Sequence, residues 1–136
     1  MKKVLILCTG NSCRSIIAEA LVNRYLGSKG VEAFSAGSNP SGRVNPNAVK
    51  VLEEEVAWSG KYRSKTIDEV MKKGPFDLVV TVCDNAKESC PVFPGGVKRI
   101  HVGFEDPDGK PYEAFVETKE LIKKRLLPTI EKELLK

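Results

Sequence analysis

The sequence predicts an α/β domain: a doubly wound, four-stranded parallel sheet flanked by helices. Three observations carry this. Apolar runs of strand length alternate with stretches of helical period, and that order implies parallel strands joined by crossover helices. The first run is continuously apolar after its two lysines, as expected of a strand covered on both faces, and the third is the most hydrophobic. Clusters of Gly, Pro, Asn and Ser punctuate the alternation.

The elements follow in order. "KKVLILC" (2–8) reads as the first strand. Ile16, Ile17, Ala20, Leu21 and Tyr25 recur at helical spacing, and Gly27 can end that helix. "VEAFSAG" (31–37) reads as the second strand and "SNPSGRVNP" (38–46) as a turn-rich loop, with Pro46 opening a helix through "NAVKVLEEE". "TIDEVMKK" (66–73) reads as a short helix, and "FDLVVTVC" (76–83) and "VKRIHVGF" (97–104) as the third and fourth strands. A long helix is expected from Tyr112, with a kink or break at Pro128.

At 136 residues the chain suits one domain spanning 1–136, and no repeat, linker or low-complexity tract divides it. It is 41% hydrophobic and 29% charged, a globular balance. The net charge of +4 suits an anionic small substrate, but the basic residues are scattered, which argues against nucleic acid. No apolar stretch approaches the roughly eighteen residues of a membrane helix. The short N-terminal apolar run does not make a signal peptide. A cytoplasmic, monomeric protein is expected. In a reducing compartment its four cysteines point to chemistry or metal binding rather than a structural framework.

Ligands of such sheets collect at the carboxyl ends of strands, where Cys8 and Cys83 both fall. They meet if the first and third strands are neighbours. After Cys8 comes "TGNSCRS" (9–15). A five-residue loop between Cys8 and Arg14, curled from a strand into a helix start, turns backbone N–H groups inward and adds the positive end of the helix dipole. Thr9, Gly10, Asn11, Ser12, Cys13, Arg14 and Ser15 are therefore the expected anion-binding residues. Gly10 and Asn11 tolerate the dihedrals of the curl, and the Arg14 guanidinium matches two oxygens of a tetrahedral oxyanion. The same donors favour a thiolate at Cys8, a nucleophile facing the bound anion. The one histidine, His101, is not needed.

"CTGNSCRS" (8–15), "TVCDNAKESCPVFPG" (81–95) and "FEDP" (104–107) resemble, in order, the thioredoxin-coupled arsenate reductases, which share the low-molecular-weight tyrosine phosphatase fold. The resemblance runs from residue 3 to about 130. It implies that Cys8 attacks arsenate to form a thiol–arsenate adduct. Cys83 then attacks Cys8, releasing arsenite, and Cys90 resolves that disulfide to leave Cys83–Cys90 for thioredoxin. A glutaredoxin is the alternative donor. Asn85 and Glu88 have capping-box spacing. A helix over seven residues rises about 10.5 Å, beyond the roughly 7 Å a disulfide permits between Cα atoms. Cys83 and Cys90 therefore pair only if the segment 83–93 unwinds.

Asp106, before Pro107, is the expected acid that protonates the departing oxygen; Glu105 reads as a solvated neighbour. Cys13 is expected to point into helix packing, and the Ser15 hydroxyl to bond the Cys8 sulfur. The resemblance extends to a potassium site through Asn11, Glu19, Ser35 and Asp68, whose oxygens suit a hard cation; no other cofactor is required. Trp58 and Tyr62 either pack or line the pocket rim. Asp108 stands where many phosphatases carry tyrosine. Two other functions compete with arsenate reduction. One is hydrolysis of aryl phosphates through a Cys8 phosphocysteine on the same Cys8–Arg14–Asp106 apparatus. The other is a zinc-stapled binding module, for which C-x4-C and C-x6-C are poor spacings.

Overall fold

The computed structural model describes residues 1–84, 93 and 96–135. Four parallel strands, β1 (Lys2–Cys8), β2 (Val31–Gly37), β3 (Leu78–Thr81) and β4 (Arg99–His101), lie in the order β2-β1-β3-β4. Among the described residues four α-helices, α1 (Arg14–Leu26), α2 (Pro46–Glu54), α3 (Ile67–Met71) and α4 (Tyr112–Leu134), flank the sheet. This is the expected doubly wound sheet. β1 is central, so its neighbours are β2 and β3, and the carboxyl ends of β1 and β3 lie side by side.

The β1 run is apolar throughout because both of its faces are covered. Val4, Ile6 and Cys8 join α1, α2 and α4 in the larger core, with Ile16, Leu21, Leu52, Phe115 and Ile122. Leu5 and Leu7 turn to the opposite face with Val70 of α3, Phe76, Val79 and Phe93. That smaller face is finished by edge-on rings, Phe34 against Phe76 at 5.7 Å and Phe76 against Phe93 at 6.0 Å.

Two of the helices, α2 and α3, start at side-chain caps. The Asn45 side chain accepts the Asn47 N–H, and Pro46 opens α2. Thr66 and Glu69 form a reciprocal capping box for α3. Three expectations are corrected. β3 and β4 are shorter than 76–83 and 97–104, although single ladder bonds continue past them: Val82 N–H to Leu7 O at 2.9 Å, Val102 N–H to Thr81 O at 3.0 Å and Phe104 N–H to Val82 O at 3.1 Å. α4 runs through Pro128, so of the kink or break expected there the break does not occur. An interior proline costs about 3 kcal/mol, but Ile122, Leu126 and Ile130 are fully buried on both sides of it. At about 1.5–3 kcal/mol for each buried side chain, that face outweighs the penalty.

Candidate active site

β1 delivers Cys8, 2% exposed, to the floor of a cavity of about 290 Å³. The next five residues form the loop that the sequence predicts, and Arg14 and Ser15 open α1 behind it. The carbonyls of Thr9, Gly10 and Ser12 accept from the N–H groups of Asn39, Ser41 and Asn45 at 2.9, 3.0 and 3.0 Å, and the Ser64 hydroxyl also donates to Gly10 O at 3.2 Å. A planar trans peptide carries its N–H opposite its C=O. With these carbonyls held outward, the amides of Gly10, Asn11 and Cys13 turn toward the cavity, and α1 begins at Arg14 with its dipole aimed the same way. Asn11 takes the left-handed turn of the curl at φ 47°, whereas Gly10 stays outside the positive-φ region.

The Asn11 side chain explains why that residue is there. Its Oδ1 accepts the Lys65 N–H at 2.9 Å, and its Nδ2 donates to Ser15 Oγ at 2.7 Å and Ser35 Oγ at 3.0 Å. With its oxygen accepting from Asn11, the Ser15 hydroxyl has its hydrogen to give to Cys8 Sγ, 3.0 Å away. Ser35 in turn donates to Glu19 Oε1 at 2.6 Å, and Lys65 Nζ lies 3.9 Å from the same oxygen. A buried chain of hydrogen bonds therefore runs from the Cys8 sulfur through Ser15, Asn11 and Ser35 to Glu19.

Arg14 and Asp106 close the opposite side. Arg14 is almost fully buried, donates to Phe104 O at 3.2 Å and faces Asp106 Oδ2 at 3.6 Å. Asp106 is about half exposed at the cavity mouth. Burial pushes the Cys13 thiol up to about 12, so it stays protonated within the core, its sulfur 3.6 Å from Ser12 Oγ. Tyr62 is buried and packs at a tilt against Trp58, ring centroids 5.9 Å apart; neither lines this cavity, so the packing alternative holds. His101 pairs with Thr81 on the sheet. Glu105 is exposed and ion-paired to Lys110.

The suggested potassium ligands gather only in part. Asn11, Glu19 and Ser35 meet, but Asp68 is exposed on α3, outside this chain of bonds. As arranged, the set does not fit the ion: Asn11 turns its Nδ2, not its oxygen, toward Ser35, and the Lys65 ammonium already stands by Glu19. Among the described residues no cluster of three or more His, Cys, Asp or Glu residues could hold a metal ion. Burial pushes Glu19 up from 4.5 to about 7, against the opposing pull of Lys65 and Ser35, and burial also lowers Lys65. Between pH 4.5 and about 7 the unfolded carboxyl is ionised while the buried one still holds its proton, so stability falls as pH rises through that window. Thermal melts of Glu19→Gln are expected to lose this slope.

Cys83 is fully buried two residues past the end of β3 and disulfide-bonded, while Cys8 and Cys13 are free thiols. Cys90 and the expected helix 85–90, including its Asn85–Glu88 cap, lie outside the described residues. Leu7 pairs with Thr81, so Cys8 lies beside Val82, one residue short of Cys83.

Gly37 went unnoticed in the sequence. It pairs with Cys8 in register, and a Cβ there would sit 2.5 Å from Thr9 O and 3.0 Å from Asn11 Cβ. The anion loop rests on that bare backbone. Gly37→Ala is expected to lower turnover at least about tenfold by lifting the loop, with an unchanged far-UV circular dichroism spectrum.

A thiol at the floor of an amide-lined anion cavity, with a buried arginine and a carboxylic acid at its mouth, defines a cysteine-dependent oxyanion enzyme on a parallel sheet. Comparison with known proteins agrees. The family model for low molecular weight phosphotyrosine protein phosphatase matches residues 3–135, and the chain belongs to that family. It is 43% identical over 126 residues to arsenate reductase 1 of Bacillus cereus, covering 92% of this chain and 91% of the relative. Its fold matches the crystal structure of an arsenate reductase from Archaeoglobus fulgidus, with a TM-score of 0.80, 33% identity and coverage of 93% and 98% of the two chains. It also matches a low molecular weight protein tyrosine phosphatase from T. tengcongensis, with a TM-score of 0.80, 29% identity and coverage of 97% and 99%.

Proposed function

We propose that this protein reduces arsenate to arsenite by a thiol relay, with Cys8 as nucleophile and Cys83 and Cys90 as the resolving pair. The observation that supports the reading is the pairing of β1 with β3, which brings the chain just past β3, where Cys83 lies, to the same end of the sheet as the cysteine beneath the anion loop. Hydrolysis needs no such neighbour.

Arsenate enters as an oxyanion held by the loop amides and the Arg14 guanidinium. The Cys8 thiolate, oriented by the Ser15 hydroxyl, forms an S–As bond, and the oxygen opposite departs as water with a proton from Asp106. Thr9 and Ser12 complete the cavity lining. The Cys83 thiolate then attacks Cys8 Sγ. The S–As bond breaks with its electron pair going to arsenic, so As(V) becomes As(III) and two thiols become one disulfide. Cys90 attacks Cys83, frees Cys8, and leaves a disulfide for a dithiol reductant of the thioredoxin type. Lys65 already supplies a cation beside Glu19, and no step requires potassium. Among the described residues no helix is long and apolar enough to cross a membrane; reversible thiol chemistry suits a monomeric enzyme in the reducing cytoplasm.

The test is a single turnover of the fully reduced protein with arsenate, followed by peptide mapping of the oxidised pair. One equivalent of arsenite with a Cys83–Cys90 bridge supports the relay. Free thiols and no arsenite would sink it. A second reading stands on the Cys8–Arg14–Asp106 constellation itself, which suffices for aryl phosphate hydrolysis when water replaces Cys83. The two activities coexist on one loop, because phosphate and arsenate share charge and shape.

A further inference from the structure

The acid in this site must be held over the anion loop, yet it sits on the half-exposed connection between β4 and α4. We infer that Asp108 is the positioning residue for Asp106, acting through a clasp to Asn45. The inference deepens the proposed reaction and rests on it.

Asp106 is gripped at both carboxylate oxygens. Oδ1 accepts the Asp108 N–H at 3.0 Å, and Oδ2 faces Arg14 at 3.6 Å. The backbone that offers this N–H belongs to a turn, closed by Lys110 N–H on Pro107 O at 3.0 Å and by Gly109 at φ 82°. Such a turn fixes its own shape but not its place above the cavity. The Asp108 side chain supplies that place. Its Oδ1 accepts from Asn45 Nδ2 at 2.7 Å across 63 residues of sequence.

Asn45 is anchored in three ways. Its N–H holds Ser12 O of the anion loop at 3.0 Å, its Oδ1 caps α2 through the Asn47 N–H at 2.9 Å, and Pro46 stiffens the following bond. One residue thus ties the loop that binds the anion to the turn that carries the acid. The clasp also stands between two cavities. Ser12, Ser41 and Asp108 line both the anion cavity and a neighbouring one of about 260 Å³ that reaches Arg43 and Pro46. Without it, the turn can swing over that second space and carry the carboxyl away from the departing oxygen. A displacement of about 1 Å at a reacting group can cost up to about 10²-fold in rate.

Three variants separate the clasp from general damage. Asp108→Ala removes the acceptor. Asn45→Ser keeps the helix cap and the N–H to Ser12 but removes the Nδ2 donor. Asp108→Asn keeps an acceptor oxygen. For arsenate reduction, kcat is expected to fall about tenfold in Asp108→Ala and Asn45→Ser with KM within twofold, and to recover in Asp108→Asn. In an Asp106→Ala background, Asp108→Ala is expected to cost nothing further, because the residue acts only through the acid. Unchanged kcat in the two disrupting variants overturns the inference. So does an equal loss in the Asp106→Ala background, or failure of Asp108→Asn to recover. A wild type that releases no arsenite defeats the functional reading instead, so the two failures are distinguishable.

Discussion

Replacing Cys83 with serine is expected to abolish arsenite release while aryl phosphate hydrolysis stays within a few-fold of wild type. The two reactions share every step up to the covalent Cys8 intermediate and then diverge. Hydrolysis needs only water and the Asp106 carboxylate, whereas reduction needs a second sulfur to take Cys8 Sγ off arsenic. Serine cannot do this, because an oxygen nucleophile does not form the two-electron disulfide product. Cys13 cannot substitute either, since its buried thiol is held protonated near 12 and turned into the core. A loss of at least about 10³-fold follows when the attacking nucleophile of a covalent step is deleted. Cys83 is fully buried, so the serine hydroxyl risks a desolvation cost of about 1–3 kcal/mol. Cys83→Ala serves as the companion variant without that hydroxyl. Arsenite is read by chromatography and hydrolysis with p-nitrophenyl phosphate. Arsenite formation at the wild-type rate in either variant ends the relay. Loss of both activities in a chain that melts normally assigns Cys83 to shaping the site rather than to electron transfer.

How far the site could be read in advance depended on whether its parts are local. Cys8, Arg14 and Ser15 were legible because one strand-to-helix junction holds them all, and the apolar run ending at Cys8 announces where that junction must be. Cys83 was legible from topology, since a parallel sheet brings strand ends together and β1 and β3 proved to be neighbours. The supports of the loop were not. Asn39, Ser41 and Asn45 grip its carbonyls with backbone N–H groups, and a backbone donor leaves no mark in side-chain identity. Gly37 matters for an absent atom, 2.5 Å from Thr9 O. In the sequence it looks like an ordinary end to a strand. Lys65 reads as a surface cation, yet the fold turns it toward buried Glu19. The strand edges were misjudged for a related reason. Val102 and Phe104 continue the apolar pattern, but at a sheet edge only one neighbour exists and the ladder thins to single bonds.

Arg14→Lys is expected to lower kcat/KM for arsenate by about 10²–10³-fold, even though the charge is kept. Arg14 is 3% exposed, and its guanidinium is fixed at one end by Phe104 O, with Asp106 alongside. From that position its planar fork can meet two oxygens of the bound anion while the loop amides take the rest. Lysine offers one point donor on a flexible stem, reaches one oxygen at a time and leaves the other facing the cavity wall. Losing one preorganised donor to a developing charge typically costs about 10²–10³-fold. The loss is expected in KM as well as kcat, because the same fork binds the ground-state anion. Ligand protection provides the check independent of turnover. Phosphate is expected to shield Cys8 of the wild type from alkylation by iodoacetamide, and to shield the variant only at far higher concentration. If the variant is protected at the same phosphate concentration and turns over arsenate normally, the oxyanion does not lie against Arg14, and the cavity beneath it is not the site of the chemistry.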